Sequence, residues 1–335
     1  MRPATVRLRL AERMTLTGIS ELLDITVNII LRPFPLRGRL KFKRGYDIMT
    51  VDISERARYF LSTDIGIFLR DETHIQFGLD STRAGIIESH NAETLVEILR
   101  AGQHEGARTR YQWERAFAAG GMSMLAARSL LHDLVEYRIM HLETAPPRVV
   151  ILGDSPLAQS IRKMCFDRGL GVRSPLDWEA LGVYLSTMED DTVVLAVDQL
   201  YRTPKVAAAL YSLPETCSWM PISLVDSRGF IGPLHLKGKG PCPLCFELHR
   251  AAFDPRWAVI TEQLEETIIA PNDQVLAAVT AQAAVIIDWL TGRPFPPGAP
   301  HKRFYAGELF DIDIYGKSQH QLVGAHEQCP ACFQA

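Results

Sequence analysis

The chain contains 335 residues, of which 47% are hydrophobic and 22% are charged. This length favours two domains, and the composition is typical of a soluble globular protein. No apolar run approaches the roughly 18 residues of a membrane span and no signal-peptide pattern opens the chain, so we expect a cytoplasmic protein with no membrane partner.

The formal net charge of −3 is unevenly distributed along the chain. Residues 1–48 carry ten Lys or Arg and four Asp or Glu, whereas the remainder carries 26 basic and 35 acidic side chains. Because nucleic-acid binding needs clustered basic groups, the mildly acidic body predicts no nucleic-acid partner. The basic extension has only weak periodicity, so it is assigned no fold, and Met49 is an alternative start of translation.

Residues 49–143 have the pattern of a winged-helix module, in which short strands are combined with a helix–turn–helix. Turn-forming residues separate the strands, and cap residues precede apolar stripes at helical spacing. The predicted strands are residues 66–70, 73–78, 84–89 and 137–142. The predicted helix starts are Asn91, Thr109 and Ser123.

Residues 144–335 have the pattern of an α/β domain, which follows a proline-containing linker at 144–147. Short runs of apolar residues predict buried strands, and their alternation with helices predicts a parallel sheet. The predicted strands are residues 148–152, 192–197 and 221–225. A long helix over about 273–290 and a β-rich stretch over 304–323 complete this domain.

Two Cys-Pro-x-Cys motifs supply four cysteines, Cys242 with Cys245 and Cys329 with Cys332. Two intervening residues place both sulfurs of a pair at adjacent corners of a tetrahedron, and two pairs complete the coordination of zinc. A site with no open position is structural rather than catalytic. In a reducing compartment, paired cysteines favour metal over disulfides, and a redox motif would need no second pair. The sequence therefore predicts one structural zinc ion.

The loop after the first α/β strand has the position of a phosphate-binding loop but lacks its composition. It contains one glycine, Gly153, followed by the carboxylate of Asp154 and by Pro156, which has no N–H. Asp198 after the next major strand could bind Mg²⁺, or could be a helix cap or a solvated carboxylate. The sequence predicts a nucleotide-binding fold that has lost its nucleotide, so no ATP is expected.

The motifs around the first cysteine pair resemble those of one protein family. They are the runs Gly-Phe-Ile-Gly-Pro-Leu at 229–234, Gly-Pro-Cys-Pro-Leu-Cys at 240–245 and Glu-Leu-His-Arg at 247–250. With the second cysteine pair and the Thr-His-Ile-Gln-Phe-Gly-Leu-Asp segment at 73–80, the chain is similar to the ThiF-like partner proteins of thiazole/oxazole-modified microcin synthesis. The resemblance extends over roughly residues 50–335.

This resemblance implies a winged-helix peptide-recognition module followed by a degenerate Rossmann-like ThiF-type domain with a four-cysteine zinc site. Such a protein binds the leader of a ribosomally made precursor peptide and is itself non-catalytic. A YcaO cyclodehydratase then uses ATP to form azolines in the core peptide. The chain has no room for a YcaO domain, so that enzyme would be a separate partner, and a homodimer is left open.

The leader would add as a strand to the edge at 83–89 and dock against the helix at 123–136, by analogy with the family. The peptide-binding residues implied in this way are Arg83, Gly85, Ile87, Arg128, Leu131 and Val135.

Two functions from other classes remain as alternatives. A ThiF-type adenylating enzyme would need a working phosphate loop and basic residues around ATP. A winged-helix DNA-binding regulator would need a basic recognition helix, but residues 123–138 carry two Arg against one Asp and one Glu.

Overall fold

The computed structural model describes residues 56–80, 83, 85–176, 178–267, 269–300 and 302–332. The basic extension at 1–48 and Met49 lie outside the described residues. The chain divides into two compact units. The first is Met1–Thr144 with Pro294–His301, and the second is Ala145–Arg293 with Lys302–Ala335.

Within the residues that the structure describes, the first unit combines six short strands with three helices. The strands are β1 (Arg58–Leu61), β2 (Ile67–Asp71), β3 (His74–Phe77), β4 (Gly85–Glu88), β5 (Arg108–Thr109) and β6 (Met140–Leu142). The helices are α1 (Ala92–His104), α2 (Arg110–Ala119) and α3 (Met124–Glu136). Each predicted helix is present within one or two residues of its predicted start, and strands β2, β3 and β4 lie where the turn signals placed them.

The six strands form two separate antiparallel sheets, ordered β5-β1-β6 and β2-β3-β4. Strand β1 holds its sheet together by pairing with β6 about 80 residues further along the chain. The indole N–H of Trp113 in α2 donates to the carbonyl oxygen of Tyr59 in β1 at 2.9 Å. Both side chains are fully buried, so this bond fixes the helices on the sheet.

Local capping explains where α2 and α3 begin. The Thr109 side chain accepts a bond from the backbone N–H of Gln112, whose side chain accepts in return from the N–H of Thr109, and this forms a capping box. Ser123 caps α3 by accepting from the N–H of Ala126 at 3.2 Å.

The described part of the second unit contains eight strands and six α-helices. The strands are β7 (Arg148–Leu152), β8 (Gly171–Arg173), β9 (Val193–Val197), β10 (Ser218–Val225), β11 (Arg228–Ile231), β12 (His235–Leu236), β13 (Glu308–Ile312) and β14 (Gln319–Leu322). The helices are α4 (Pro156–Asp167), α5 (Leu181–Ser186), α6 (Thr203–Leu210), α7 (Pro243–Phe253), α8 (Trp257–Glu262) and α9 (Asp273–Leu290). Two 3₁₀ turns lie at Leu200–Arg202 and Gln263–Glu265.

All eight strands belong to one sheet, ordered β14-β13-β11-β10-β9-β7-β8, with β12 paired to β10. Strands β8, β7, β9 and β10 are parallel, as the sequence predicted, but β11, β13 and β14 join antiparallel. A tight connection between β10 and β11 reverses the chain directly, and such a hairpin can only be antiparallel. The unit is therefore a mixed α/β structure built on a multi-stranded sheet.

Helix α9 is long and apolar enough, by length and composition alone, to cross a membrane. This is weak evidence for a span, because the core helix of a soluble protein passes the same test. Here α9 packs on α4 and β11. Its buried Asp288 forms ion pairs with Arg168 and Arg293, as a carboxylate inside a folded unit requires.

Candidate functional site

The four paired cysteines lie together at the start of α7. Cys242 immediately precedes that helix and Cys245 lies in its first turn, while Cys329 and Cys332 come from the chain's C-terminal tail. The Cys242 sulfur lies 3.7 Å from that of Cys245 and 3.5 Å from that of Cys329. The sulfurs of Cys245 and Cys332 are 3.4 Å apart. The structure thus brings together all four residues that the sequence singled out, and they could hold a metal ion.

The spacing of these sulfurs distinguishes a metal site from a disulfide. Sulfurs at about 2.3 Å from one tetrahedral zinc ion lie about 3.8 Å from each other. A disulfide would instead bring two sulfurs to about 2.05 Å. The observed separations of 3.4–3.7 Å are therefore close to the edge of a zinc tetrahedron and far from a covalent bond.

The surroundings of the thiols shift their pKa values in opposite directions. Burial raises the pKa of Cys242, and burial raises the pKa of Cys245 to about 11. Burial acts in the same direction on Cys329, but backbone N–H groups of Cys332 and Ala331 outweigh it and lower the pKa of Cys329. A cation would be needed to hold Cys242 and Cys245 as thiolates at neutral pH.

Two histidines adjacent to the cluster support the tail rather than adding ligands. The imidazole Nε2 of His249 in α7 lies 3.1 Å from the carbonyl oxygen of Gly324. The ring of His326 packs edge-on against that of His249, with centroids 4.8 Å apart, and its Nδ1 accepts from the N–H of Gln328. These contacts hold the tail that delivers Cys329.

The loop between β7 and α4 has few of the features of a phosphate-binding loop. Gly153 has φ +128°, and a Cβ there would lie 2.4 Å from the carbonyl oxygen of Val197, so only glycine fits. Ser155 caps α4 by accepting from the N–H of Ala158 at 3.2 Å. Pro156 then opens the helix without an N–H. Few backbone donors at this helix start are left for an anion.

Asp198 has a role that the sequence did not anticipate. Its carboxylate accepts from the Ser155 hydroxyl at 2.5 Å and from the backbone N–H of Leu224 at 2.9 Å. It does not cap the following 3₁₀ turn, which is preceded by Gln199, and its side chain is half-buried. Burial raises the pKa of Asp198, although these two hydrogen bonds oppose the shift. Asp198 therefore ties the β7–α4 loop to β10.

Strand β4 is an edge strand, because no strand pairs with its other side in the part of the chain that the structure describes. The backbone N–H of Ser89 donates to the carbonyl oxygen of Thr73 at 2.7 Å, which directs Ser89 toward β3. Because the backbone N–H and C=O groups of successive residues alternate between the two sides of a strand, those of Ile87 also point toward β3, opposite Ile75. The backbone N–H and C=O of Ile86 therefore face the open edge.

The structure separates the implied peptide-binding residues into two groups. The side chains of Ile87 and Leu131 are buried in the core of the first unit, so they support the edge and the helix and offer no surface to a peptide. Gly85 and Val135 are half-buried, and Arg83 is exposed.

Arg128 is already engaged within the helical layer. Its guanidinium Nε donates to the carboxylate of the buried Glu114 at 3.1 Å, and Arg110 donates to the same oxygen at 2.7 Å. Burial would raise the pKa of Glu114, but the two arginines outweigh it and lower that pKa. Arg128 thus fastens α3 to α2, although more than half of its side chain remains exposed.

A cavity of about 190 Å³ lies between the start of β4 and the turn after α3. Its lining residues are Ile65, Arg83, Gly85, Glu136, Tyr137, Arg138, Ile139, Pro297, Gly298 and Ala299. The implied helix and the implied edge strand therefore flank one concave surface, which we call the β4 cleft. No pattern in the sequence indicated that residues 297–299 would line it.

No protein-family model matches the chain, and no curated protein matches it. Three solved structures resemble its fold over 82% of its length. One is the heterocyclase TruD, at 17% identity and a TM-score of 0.52. Another is a heterocyclase in complex with substrate and cofactor, at 13% identity and a TM-score of 0.54. The third is the E. coli microcin synthetase McbBCD complex with pro-MccB17 bound, at 13% identity and a TM-score of 0.55.

At these identities the likeness concerns the fold alone. The chain spans 43% and 39% of the two heterocyclase chains but 99% of the microcin synthetase chain that it matches.

Proposed function

We propose that this protein binds the leader of a ribosomally made precursor peptide and presents it to a separate YcaO cyclodehydratase for azoline formation. The observation that carries the proposal is the open edge of β4 beside the β4 cleft. Further support comes from the fold likeness to heterocyclases and to a microcin synthetase complex with pro-MccB17 bound.

Recognition would proceed by strand addition. We assign residues 49–143 to a winged-helix recognition module, in which an extended leader pairs with the backbone of Ile86 and extends beside α3. An unpaired edge offers N–H and C=O groups to any extended chain, so affinity arises from the backbone and selectivity from the cleft. A protein that binds a peptide by strand addition needs no catalytic residues of its own.

Residues 144–335 would form a degenerate Rossmann-like ThiF-type domain with a structural zinc ion. The donor set of four thiols and the separations of 3.4–3.7 Å support zinc as the metal. Cys242, Cys245, Cys329 and Cys332 would bind it and attach the C-terminal tail to α7. With all four positions filled by sulfur, zinc would supply folding energy and no chemistry.

The chain would not itself use ATP. The capping of α4 by Ser155, the proline at its first position and the carboxylate of Asp154 all disfavour a triphosphate at the β7–α4 loop. ATP hydrolysis and ring formation would therefore belong to the YcaO partner.

Reconstitution tests this division of labour. A candidate precursor peptide, Mg-ATP and a YcaO protein from the same genome are combined with and without the purified protein. Each azoline formed removes one water, so mass spectrometry of the precursor reports the reaction. We expect ring formation only when both proteins are present. Efficient reaction without this chain would contradict the presenting role, and ATP–pyrophosphate exchange by this chain alone would favour an adenylating enzyme.

A further inference from the structure

The first unit includes a proline-rich segment that is distant in sequence from the rest of that unit. Residues 294–300, Pro-Phe-Pro-Pro-Gly-Ala-Pro, follow α9 and precede β13, both of which belong to the second unit. Their contacts nevertheless place them with the first unit. We call this segment the strap.

The strap touches both walls of the β4 cleft. On the strand side, Gly298 has φ +75°, and a Cβ built there would lie 3.0 Å from the carbonyl oxygen of Arg83, just before β4. On the helix side, the guanidinium Nη1 of Arg138, directly after α3, lies 3.5 Å from the carbonyl oxygen of Ala299. The strap therefore bridges the beginning of the edge strand and the end of the helix.

The composition of the strap prevents it from acting as a strand itself. Its four prolines have no N–H, and the N–H of Ala299 donates to the carbonyl oxygen of Pro296 at 3.1 Å. It can therefore close one end of the cleft without pairing along β4. Proline also restricts the backbone, so little conformational entropy is lost when the strap is held in place.

We propose that the strap is an end stop for the bound peptide. This inference rests on the proposed function, since it concerns the register of the leader on β4. Backbone pairing would begin at Ile86, and the strap, which lines the cleft beside Arg83 and Gly85, would stop it at that end. One end of the bound segment is then fixed by a structural element and not by the leader sequence alone.

Photo-crosslinking of the full-length, zinc-loaded protein tests the stop. A benzophenone amino acid is placed at each position of the leader in turn, and the crosslinked protein residues are located by mass spectrometry. We expect crosslinks to residues 294–300 from one or two adjacent leader positions, at one end of the segment that crosslinks to β4. A leader that binds and crosslinks to β4 without reaching the strap, or that reaches it from central positions, overturns the stop. A leader that does not bind at all refutes the proposed function and the stop together.

Two glycine variants provide a matched comparison. Gly298→Ala introduces a Cβ in close contact with Arg83 and should displace the strap. Gly292→Ala has a similar positive φ of +70°, but no atom lies within 4 Å of its Cβ, so it reproduces the backbone strain alone. We expect Gly298→Ala to spread strap crosslinks over additional leader positions, whereas Gly292→Ala keeps the wild-type pattern. An unchanged pattern in a folded Gly298→Ala protein argues against a stop at this point.

Discussion

Replacing Cys329 by serine should weaken the attachment of the C-terminal tail to α7 and lower the stability of the second unit. A zinc ion bound by all four cysteines would close a loop of 83 residues, 246–328, between Cys245 and Cys329. Loop-closure entropy for that length amounts to about 4.5 kcal/mol in the unfolded chain, and a metal clip acts as a disulfide does. Because three cysteines remain as ligands, we expect a loss of about 3 kcal/mol.

A loss of that size lowers the thermal midpoint by roughly 6–12 °C in a unit of this length. Scanning calorimetry and metal analysis of protein purified without chelator measure both consequences together. Wild-type protein should contain one zinc per chain, and Cys329→Ser should contain much less. Cys165→Ala is the matched control, since Cys165 is buried in α4 outside the cluster. It should retain zinc and lose only about 1 kcal/mol. Full zinc content with an unchanged midpoint in Cys329→Ser would refute this reasoning.

Three further predictions concern single interactions. Glu114→Gln should destabilise the first unit by about 2 kcal/mol at pH 7, because two arginines lose their anion. Because folding lowers the pKa of Glu114, this carboxylate stabilises the folded protein fully at pH values above its unfolded pKa of about 4.3. The stabilisation disappears as the pH falls through the folded pKa, and thermal melts from pH 7 to 3 check this. Folding raises the pKa of Asp198, so the folded protein loses stability as the pH rises above about 4 and this carboxyl group ionises. The Asp198→Asn protein lacks this loss, so its stability relative to wild type should increase between pH 4 and 7 in the same melts. Calorimetric titration with Mg-ATP should detect no micromolar binding by the isolated protein, and a micromolar dissociation constant would contradict the proposal that this chain does not use ATP.

The elements that could be predicted from sequence are those set by local signals. The caps Thr109 and Ser123 have hydrogen-bonding partners three residues away, so their motifs are complete within one turn of chain. Strands β1 and β5 were missed because each has two to four residues and derives its stability from distant pairing. Strands β13 and β14 lie within the predicted β-rich stretch at 304–323, but their antiparallel addition to the sheet was not visible in the sequence.

The candidate sites show the same division between local and distant information. The spacing of the cysteines within each pair is visible in the sequence. A four-cysteine site requires in addition only that the two pairs lie close together in the fold. The direction of each residue on β4 depends on its register with β3, so Ile87 could not be identified as inward-facing before the pairing was known. The strap was unpredictable, because no feature of residues 294–300 indicates that they pack with a unit ending at Thr144.

Binding of a fluorescent leader to Ile86→Pro and Ile86→Ala proteins tests the central claim most directly. The leader is that of the precursor peptide used in the reconstitution, and fluorescence polarisation reports its affinity. Proline at an outward-facing edge position removes one backbone donor without breaking the β3–β4 pair, whereas alanine retains that donor. Ile87→Pro is unsuitable, because its N–H faces β3 and the substitution would disrupt the sheet.

We expect wild type and Ile86→Ala to bind the leader similarly and Ile86→Pro to bind roughly tenfold more weakly, with circular dichroism unchanged in all three. Equal binding by the folded Ile86→Pro protein would move the site away from β4, and no binding by the folded, zinc-loaded wild-type protein would contradict the leader-binding function itself.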